Sequence, residues 1–167
     1  MNRPINDVWN SRRNPSMDLT EGGVMVEESN SVSKASHCAT RKLSRLLLVD
    51  DDPALRDALS DTIEFHLGPL TLDASDSGTK ALDLVRANGY DAMIVDVNMP
   101  NMNGLQFLTA VKHLQPHTPV LLISAHADEA IITRALEAGA SEFIPKPFDR
   151  DQIVSAVRHT LEPRSMD

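Results

Sequence analysis

Four apolar runs lead to side chains that can handle charge. Leu46-Leu47-Leu48-Val49 runs into Asp50-Asp51-Asp52, Ala92-Met93-Ile94-Val95 into Asp96, Val120-Leu121-Leu122-Ile123 into Ser124, and Phe143-Ile144 toward Lys146. Brought together, Asp50, Asp51 and Asp96 would form a cluster of acids beside one hydroxyl and one ammonium. Clustered acids raise one another's pKa unless a cation neutralises them. Oxygen-only ligands completed by water select a hard ion, and Mg²⁺ fits best. A carboxylate beside that ion and a lysine can accept a phosphoryl group, since both cations offset charge developing on the phosphoryl oxygens. Asp96 is the candidate acceptor, and Ser124 is placed to donate a hydrogen bond to a phosphoryl oxygen. A lone aspartate after a strand would do no more than cap a turn. The other strand ends favour the chemical reading.

The pattern between these runs supplies the elements that must position them. Pro53 opens a helix with Leu55, Leu59, Ile63 and either Phe65 or Leu67 on its apolar side. Proline is favoured at the first helical position and aspartate is among the best N-caps, so Asp52 becomes the cap and Asp50 and Asp51 remain for a metal. Leu70-Thr71-Leu72 is a second strand, less apolar than the first and so nearer a sheet edge. A helix begins at Ser77, runs through Ala81, Leu82 and Val85, and stops at Asn88-Gly89. Helical periodicity follows Asp96 at Leu105, Leu108 and Val111. It follows Ser124 at Ile131, Ile132 and Leu136, ending at Gly139, and follows Lys146 at Ile153, Val154, Val157 and Leu161. Five strands alternating with five helices predict a doubly wound parallel sheet with helices on both faces. In such sheets chemistry sits at the carboxyl ends of the strands.

Composition narrows the function classes. With 167 residues, 41% of them hydrophobic, the chain can fill one core. No stretch reaches the roughly 18 continuous apolar residues of a membrane span, and no signal-peptide core is visible. The single cysteine, Cys38, excludes an internal disulfide framework and suits a reducing cytoplasm. A net charge of −8 argues against a nucleic-acid surface. Residues 1–44 hold six Lys and Arg against five acids, a net of +1, so the remainder carries −9. Lacking any sustained period, 1–44 read as a disordered leader, 45–162 as the folded domain and 163–167 as a short tail. Glu21-Gly22-Gly23 shortly before Met25 suggests an internal translation start there. No output domain is expected after the last helix.

Taken in order, Leu-Leu-Leu-Val-Asp50-Asp51-Asp52-Pro53, Asp96-Val-Asn-Met-Pro100-Asn-Met-Asn-Gly104, Ile-Ser124-Ala125 and Phe143-Ile-Pro-Lys146-Pro147-Phe148 resemble the receiver domain of two-component response regulators. Each motif alone is weak; the ordered set, covering about residues 45–162, is specific. The resemblance implies a flavodoxin-like (CheY-like) fold with strand order 2-1-3-4-5 and phosphorylation of Asp96 by a phosphohistidine donor. That donor would be a sensor histidine kinase or a histidine phosphotransfer protein. It implies Mg²⁺ held by Asp51, Asp96 and the backbone carbonyl of Asn98, with Asp50 acting through water. It further implies phosphoryl contacts from Ser124 and Lys146, a switch coupling Ser124 to Phe143, and a cis Lys146–Pro147 bond. The output would be an unknown protein target or a phosphorylation-dependent homodimer, without direct nucleic-acid binding. Ser124 stands where threonine is common, Phe143 lacks the hydroxyl of a tyrosine, and Asn103 replaces a frequent aspartate.

Other signals carry less. Met93, Met99 and Met102 read as packing, and His66, His113, His117 and His159 as surface residues without ligand spacing. His37-Cys38 cannot build a metal site alone. No G-x-G-x-x-G or P-loop motif occurs. Asn98, two beyond Asp96, and His126, two beyond Ser124, lie beside the path of a water attacking an aspartyl phosphate, and both are candidates for setting its lifetime. Two other classes compete. A haloacid-dehalogenase-like phosphatase would use Asp50 as nucleophile, although Pro53 starts a helix where that family needs other residues. A phosphorylation-independent receiver-like interaction module would lack one of the acids, the hydroxyl or the lysine, and none is missing.

Overall fold

The computed structural model describes residues 43–162. The expectations for residues 1–42, including His37-Cys38, and for residues 163–167 lie outside that range. Five strands alternate with five helices: β1 (Arg45–Val49), α1 (Pro53–Leu67), β2 (Thr71–Ser75), α2 (Gly78–Ala87), β3 (Ala92–Asp96), α3 (Gly104–Leu114), β4 (Val120–Ser124), α4 (Glu129–Glu137), β5 (Glu142–Pro145) and α5 (Arg150–Leu161). All pairings are parallel, in the order β2-β1-β3-β4-β5. This is the expected flavodoxin-like sheet.

Strand side chains alternate between faces, and both faces are covered, so the central strands are apolar throughout. Leu47, Val49, Met93, Val95, Val120 and Leu122 meet Ala81, Leu82 and Val85 of α2, Phe107, Leu108 and Val111 of α3, and Ala135 of α4. On the opposite face Leu46, Leu48, Ile94, Leu121, Ile123 and Ile144 meet Leu59 and Ile63 of α1 and Ile153, Val154 and Val157 of α5. Register carries this order to the carboxyl edge. Val49 stands beside Val95, Asp96 beside Ile123, and Ser124 beside Pro145. The chemical side chains therefore leave the sheet in one row.

Local rules set the helix starts. The Asp52 side chain accepts from the N–H of Ala54 and of Leu55, with Pro53 first in the helix, as expected. Ser77 caps α2 rather than opening it. Asn103 and Gln106 form a reciprocal capping box at α3, as do Asp149 and Gln152 at α5.

Several expectations need adjusting. On α1 it is Leu67 that packs inward, whereas Phe65 is 83% exposed. β2 starts one residue later than expected and runs on to Ser75, and β5 ends at Pro145. In α4 the periodic residues are not the buried ones. Leu136 is exposed and Ala135 lies inside, because this short helix touches the core along a narrow line. Met93 and Met99 are buried and Met102 half-buried in the core, so they are packing residues.

Candidate functional site

β1, β3, β4 and the segment after β5 deliver Asp50, Asp96, Ser124 and Lys146 to one edge. Asp50, Asp96 and Ser124 are all buried, which requires each to find a partner or bear a desolvation penalty. Lys146 supplies it for the acids: its Nζ lies 2.8 Å from Oδ1 of Asp96 and 3.2 Å from Oδ2 of Asp50. The Lys146 N–H donates to the Ser124 carbonyl at 2.7 Å, pulling the lysine against the end of β4, and Lys146–Pro147 is cis.

The two carboxylates are held differently. Asp50 uses both oxygens: the Asp52 N–H donates to Oδ1 at 2.8 Å, and Oδ2 accepts from Lys146. On Asp96, Oδ2 accepts the Asn98 N–H at 2.8 Å, while Oδ1 is buried with no hydrogen-bond partner. The Lys146 ammonium forms an ion pair with Oδ1 at 2.8 Å. Burial raises the Asp50 carboxyl above its ordinary value; Asp52 N–H and Lys146 oppose that, and the Asp96 charge adds to it. Burial works against the Lys146 ammonium, yet its approach to Asp96 and the charge of Asp50 outweigh it, so its pKa is raised.

Ser124 is wholly buried, and its hydroxyl is committed locally. It donates to the His126 carbonyl at 2.8 Å and accepts from the His126 N–H at 3.0 Å and from Asn98 Nδ2 at 3.1 Å. Asn98 Nδ2 also lies 3.4 Å from Nδ1 of His126. The two residues singled out for phosphoryl lifetime, 28 positions apart, thus meet over the Ser124 hydroxyl. Phe143 is half-buried against the core cluster on the face that α2, α3 and α4 cover.

The expected cluster of three acids is a cluster of two. Among the described residues, no three of His, Cys, Asp and Glu gather closely enough to hold a metal by themselves. Asp51 is exposed, while Asp50 takes the inward place under Lys146 and Asp52, also exposed, caps the helix N-terminus. Mg²⁺ still suits the donor set. Two buried carboxylates face one ammonium, leaving negative charge in excess, and the orphaned Asp96 Oδ1 is a hard oxygen without a hydrogen-bond partner. A small ion that keeps several waters needs only one or two protein carboxylates.

Two contributors were not singled out from sequence. A Cβ on Gly104 would lie 2.5 Å from the Asp96 carbonyl oxygen and 2.8 Å from the Val97 Cα, so only glycine lets α3 start against the end of β3. The Gly104 N–H uses that approach to donate to the Val97 carbonyl at 3.0 Å. The Asn-Gly pair at the helix start was a signal for it. Arg56 donates from Nη1 to the Asp50 carbonyl at 2.8 Å, and nothing in its spacing announced that contact.

Fold and edge together define a doubly wound α/β domain with an acidic site at the carboxyl ends of its strands. The family described as response regulator receiver domain matches residues 46–158, and the chain belongs to that family. It is 40% identical over 119 residues to response regulator protein FleR of Pseudomonas aeruginosa, covering 71% of this chain and 25% of the relative. It is 32% identical over 123 residues to response regulator MprA of a Mycobacterium species, covering 74% and 53%. The chain thus spans between a quarter and about half the length of these relatives. Among solved structures, the signal receiver domain of the response regulator NarL from Mycobacterium tuberculosis matches with a TM-score of 0.65 at 34% identity, covering 73% of this chain and 98% of that one. Chemotaxis response regulator CheY4 of Vibrio cholerae matches at 0.66 and 26% identity, covering 71% and 99%.

Proposed function

We propose that the domain works as the phosphoacceptor of a two-component relay, with Asp96 receiving the phosphoryl group of a phosphohistidine on a sensor kinase or phosphotransfer protein. The observation that carries this reading is the state of Asp96 Oδ1: buried, free of hydrogen bonds and 2.8 Å from an ammonium. That oxygen attacks phosphorus, the P–O bond forms, the P–N bond breaks, and the electron pair returns to the imidazole. Lys146 offsets charge on the transferring group. Asp50 and Asp96, with Asp51 from the solvent side and the Asn98 carbonyl, would hold Mg²⁺. That ion would supply further charge neutralisation at the phosphoryl oxygens.

The family and the geometry support this reading over a phosphatase with Asp50 as nucleophile. Each carboxylate accepts one backbone N–H and faces Lys146, but the ammonium lies nearer Asp96, at 2.8 Å against 3.2 Å for Asp50. The domain is then a signalling acceptor rather than a turnover enzyme. No described helix is long and apolar enough to cross a membrane, and a place in the cytoplasm, where phosphohistidine donors act, follows from the proposed role.

Ser124 would leave the His126 carbonyl to reach a phosphoryl oxygen, and Phe143, half-buried on β5, would follow it inward. This biases a two-state element and remodels the surface of α4, β5 and α5 for a protein target or a second copy of the chain. The test is adduct mapping after treatment with acetyl phosphate and Mg²⁺. One phosphoryl group is expected on Asp96, lost in Asp96→Asn and retained in part in Asp50→Asn. Labelling of Asp96→Asn at wild-type stoichiometry would refute the assignment, and an adduct on Asp50 would establish the phosphatase-like alternative.

A further inference from the structure

We propose that Arg56 is a positioning residue for the acidic turn, fixing through the Asp50 carbonyl the direction in which Asp50 and Asp51 present their carboxylates. This rests on the reading of those acids as the metal-binding edge of the Asp96 site.

Asp50 is 1% exposed, so every polar group it carries needs a partner. Its N–H donates to the Ser75 carbonyl at 3.1 Å. Its carboxylate takes the Asp52 N–H and Lys146. Its carbonyl receives a hydrogen bond from Arg56 Nη1 at 2.8 Å, from a side chain half-buried on the first turn of α1. The carbonyl of Asp50 and the N–H of Asp51 belong to one rigid peptide plane. Holding that oxygen therefore sets the plane from which Asp51 departs.

Arg56 stands where helix electrostatics disfavour it. Its N–H donates to the Asp52 carbonyl at 3.0 Å, so it closes the first turn, where the helix dipole prefers an acid. Side chains near a helix start lean back toward its N-terminus, and that lean lets the guanidinium reach the turn. A residue that breaks a local preference marks a functional demand. Beyond the guanidinium, Ser75, Asp76 and Lys80 help line a cleft of about 460 Å³ beside it, so truncation there opens toward the cleft rather than leaving a sealed void in the core. The role belongs to the hydrogen bond rather than to the charge, because the cation that meets the Asp50 carboxylate is Lys146.

The test compares Arg56→Ala and Arg56→Gln with wild type in the full chain. Amide exchange at Asp52, whose N–H reports on the turn, is measured without Mg²⁺ or phosphodonor. Mg²⁺ affinity is read from backbone chemical shifts, and acetyl phosphate incorporation is followed against donor concentration. Arg56→Ala is expected to speed Asp52 exchange about tenfold relative to core amides such as Ile94, the scale of one lost charge-assisted hydrogen bond. It should weaken Mg²⁺ binding similarly and lower the maximal incorporation rate at unchanged half-saturating donor. Arg56→Gln, whose amide nitrogen ends two bonds short of the Nη1 position, should behave like Arg56→Ala in both exchange and Mg²⁺ affinity. Wild-type exchange and Mg²⁺ affinity in Arg56→Ala overturn the proposal. So does Arg56→Gln matching wild type, since a side chain too short to make the bond would then suffice. Equal loosening of Asp52 and Ile94 also overturns it, as a global stability effect. Failure of the Asp96 assignment is distinguishable, since incorporation would then miss Asp96 in wild type too while the exchange comparison still reads.

Discussion

Gly104→Ala probes the join between α3 and the strand that carries Asp96. The added Cβ would meet the Asp96 carbonyl oxygen at 2.5 Å, the Val97 Cα at 2.8 Å and the Asp96 carbonyl carbon at 3.1 Å. These are backbone atoms and cannot rotate away. Moving the first contact out to the 3.4 Å of ordinary packing requires about 0.9 Å of separation between helix start and strand end. That movement strains the bond from Gly104 N–H to the Val97 carbonyl, now 3.0 Å, and the bond from Asn98 N–H to Asp96 Oδ2, now 2.8 Å. Overpacking of this kind costs about 1–3 kcal/mol, and the helix preference of alanine over glycine returns at most about 1 kcal/mol. After full offset, a net loss of up to about 2 kcal/mol in urea unfolding follows from those two figures. The larger effect falls on chemistry, where a misplacement near 1 Å can cost about a hundredfold. Acetyl phosphate incorporation should therefore fall at least tenfold, more than the stability loss would suggest. Wild-type stability and rate in Gly104→Ala would show that the helix gives way without disturbing Asp96, and the reasoning would fail.

Two further outcomes are expected. His126→Ala should change the decay rate of phosphorylated protein at least roughly threefold, about 0.7 kcal/mol in barrier, because His126 and Asn98 meet over the Ser124 hydroxyl; equal decay from pH 5 to 8 would leave His126 a solvated loop residue. Tyr90, the single tyrosine, should ionise in absorbance titration with a midpoint pushed up to about 12, by burial first and then by its 2.8 Å hydrogen bond to Asp73. Because the folded pKa is raised, that stabilisation is complete below the ordinary value of about 10 and is lost as pH rises through about 12. A midpoint near 10 in folded protein would contradict it, and Tyr90→Phe should cost about 1.5 kcal/mol at neutral pH.

Much of this site was legible along the chain. Apolar runs of four residues, each breaking at a polar side chain, locate strand ends without knowledge of their neighbours. Asp52 before Pro53 announces a helix cap, and the structure assigns it that role. Once the strands are parallel and alternate with helices, their carboxyl ends share an edge, so Asp50, Asp96, Ser124 and Lys146 could be grouped from order alone. Burial within a helix was less legible. Phe65 and Leu67 both fit the period of α1, and Leu136 fits that of α4, because periodicity locates an apolar stripe but not how much of it a neighbour covers.

The sequence by itself determined the fold class, the row of chemical side chains and the acceptor candidate, because all three depend on local period and strand polarity. Tertiary structure alone decided how those side chains divide their partners. Lys146 lies 96 positions from Asp50, yet bridges it to Asp96. Asp51 is exposed where three converging acids were expected, and Asn98 finds Ser124 and His126 across two loops. Gly104 matters through a backbone it touches only after α3 folds back. Such contacts depend on a few tenths of an ångström between segments distant in the chain, and the packing of both sheet faces supplies that distance.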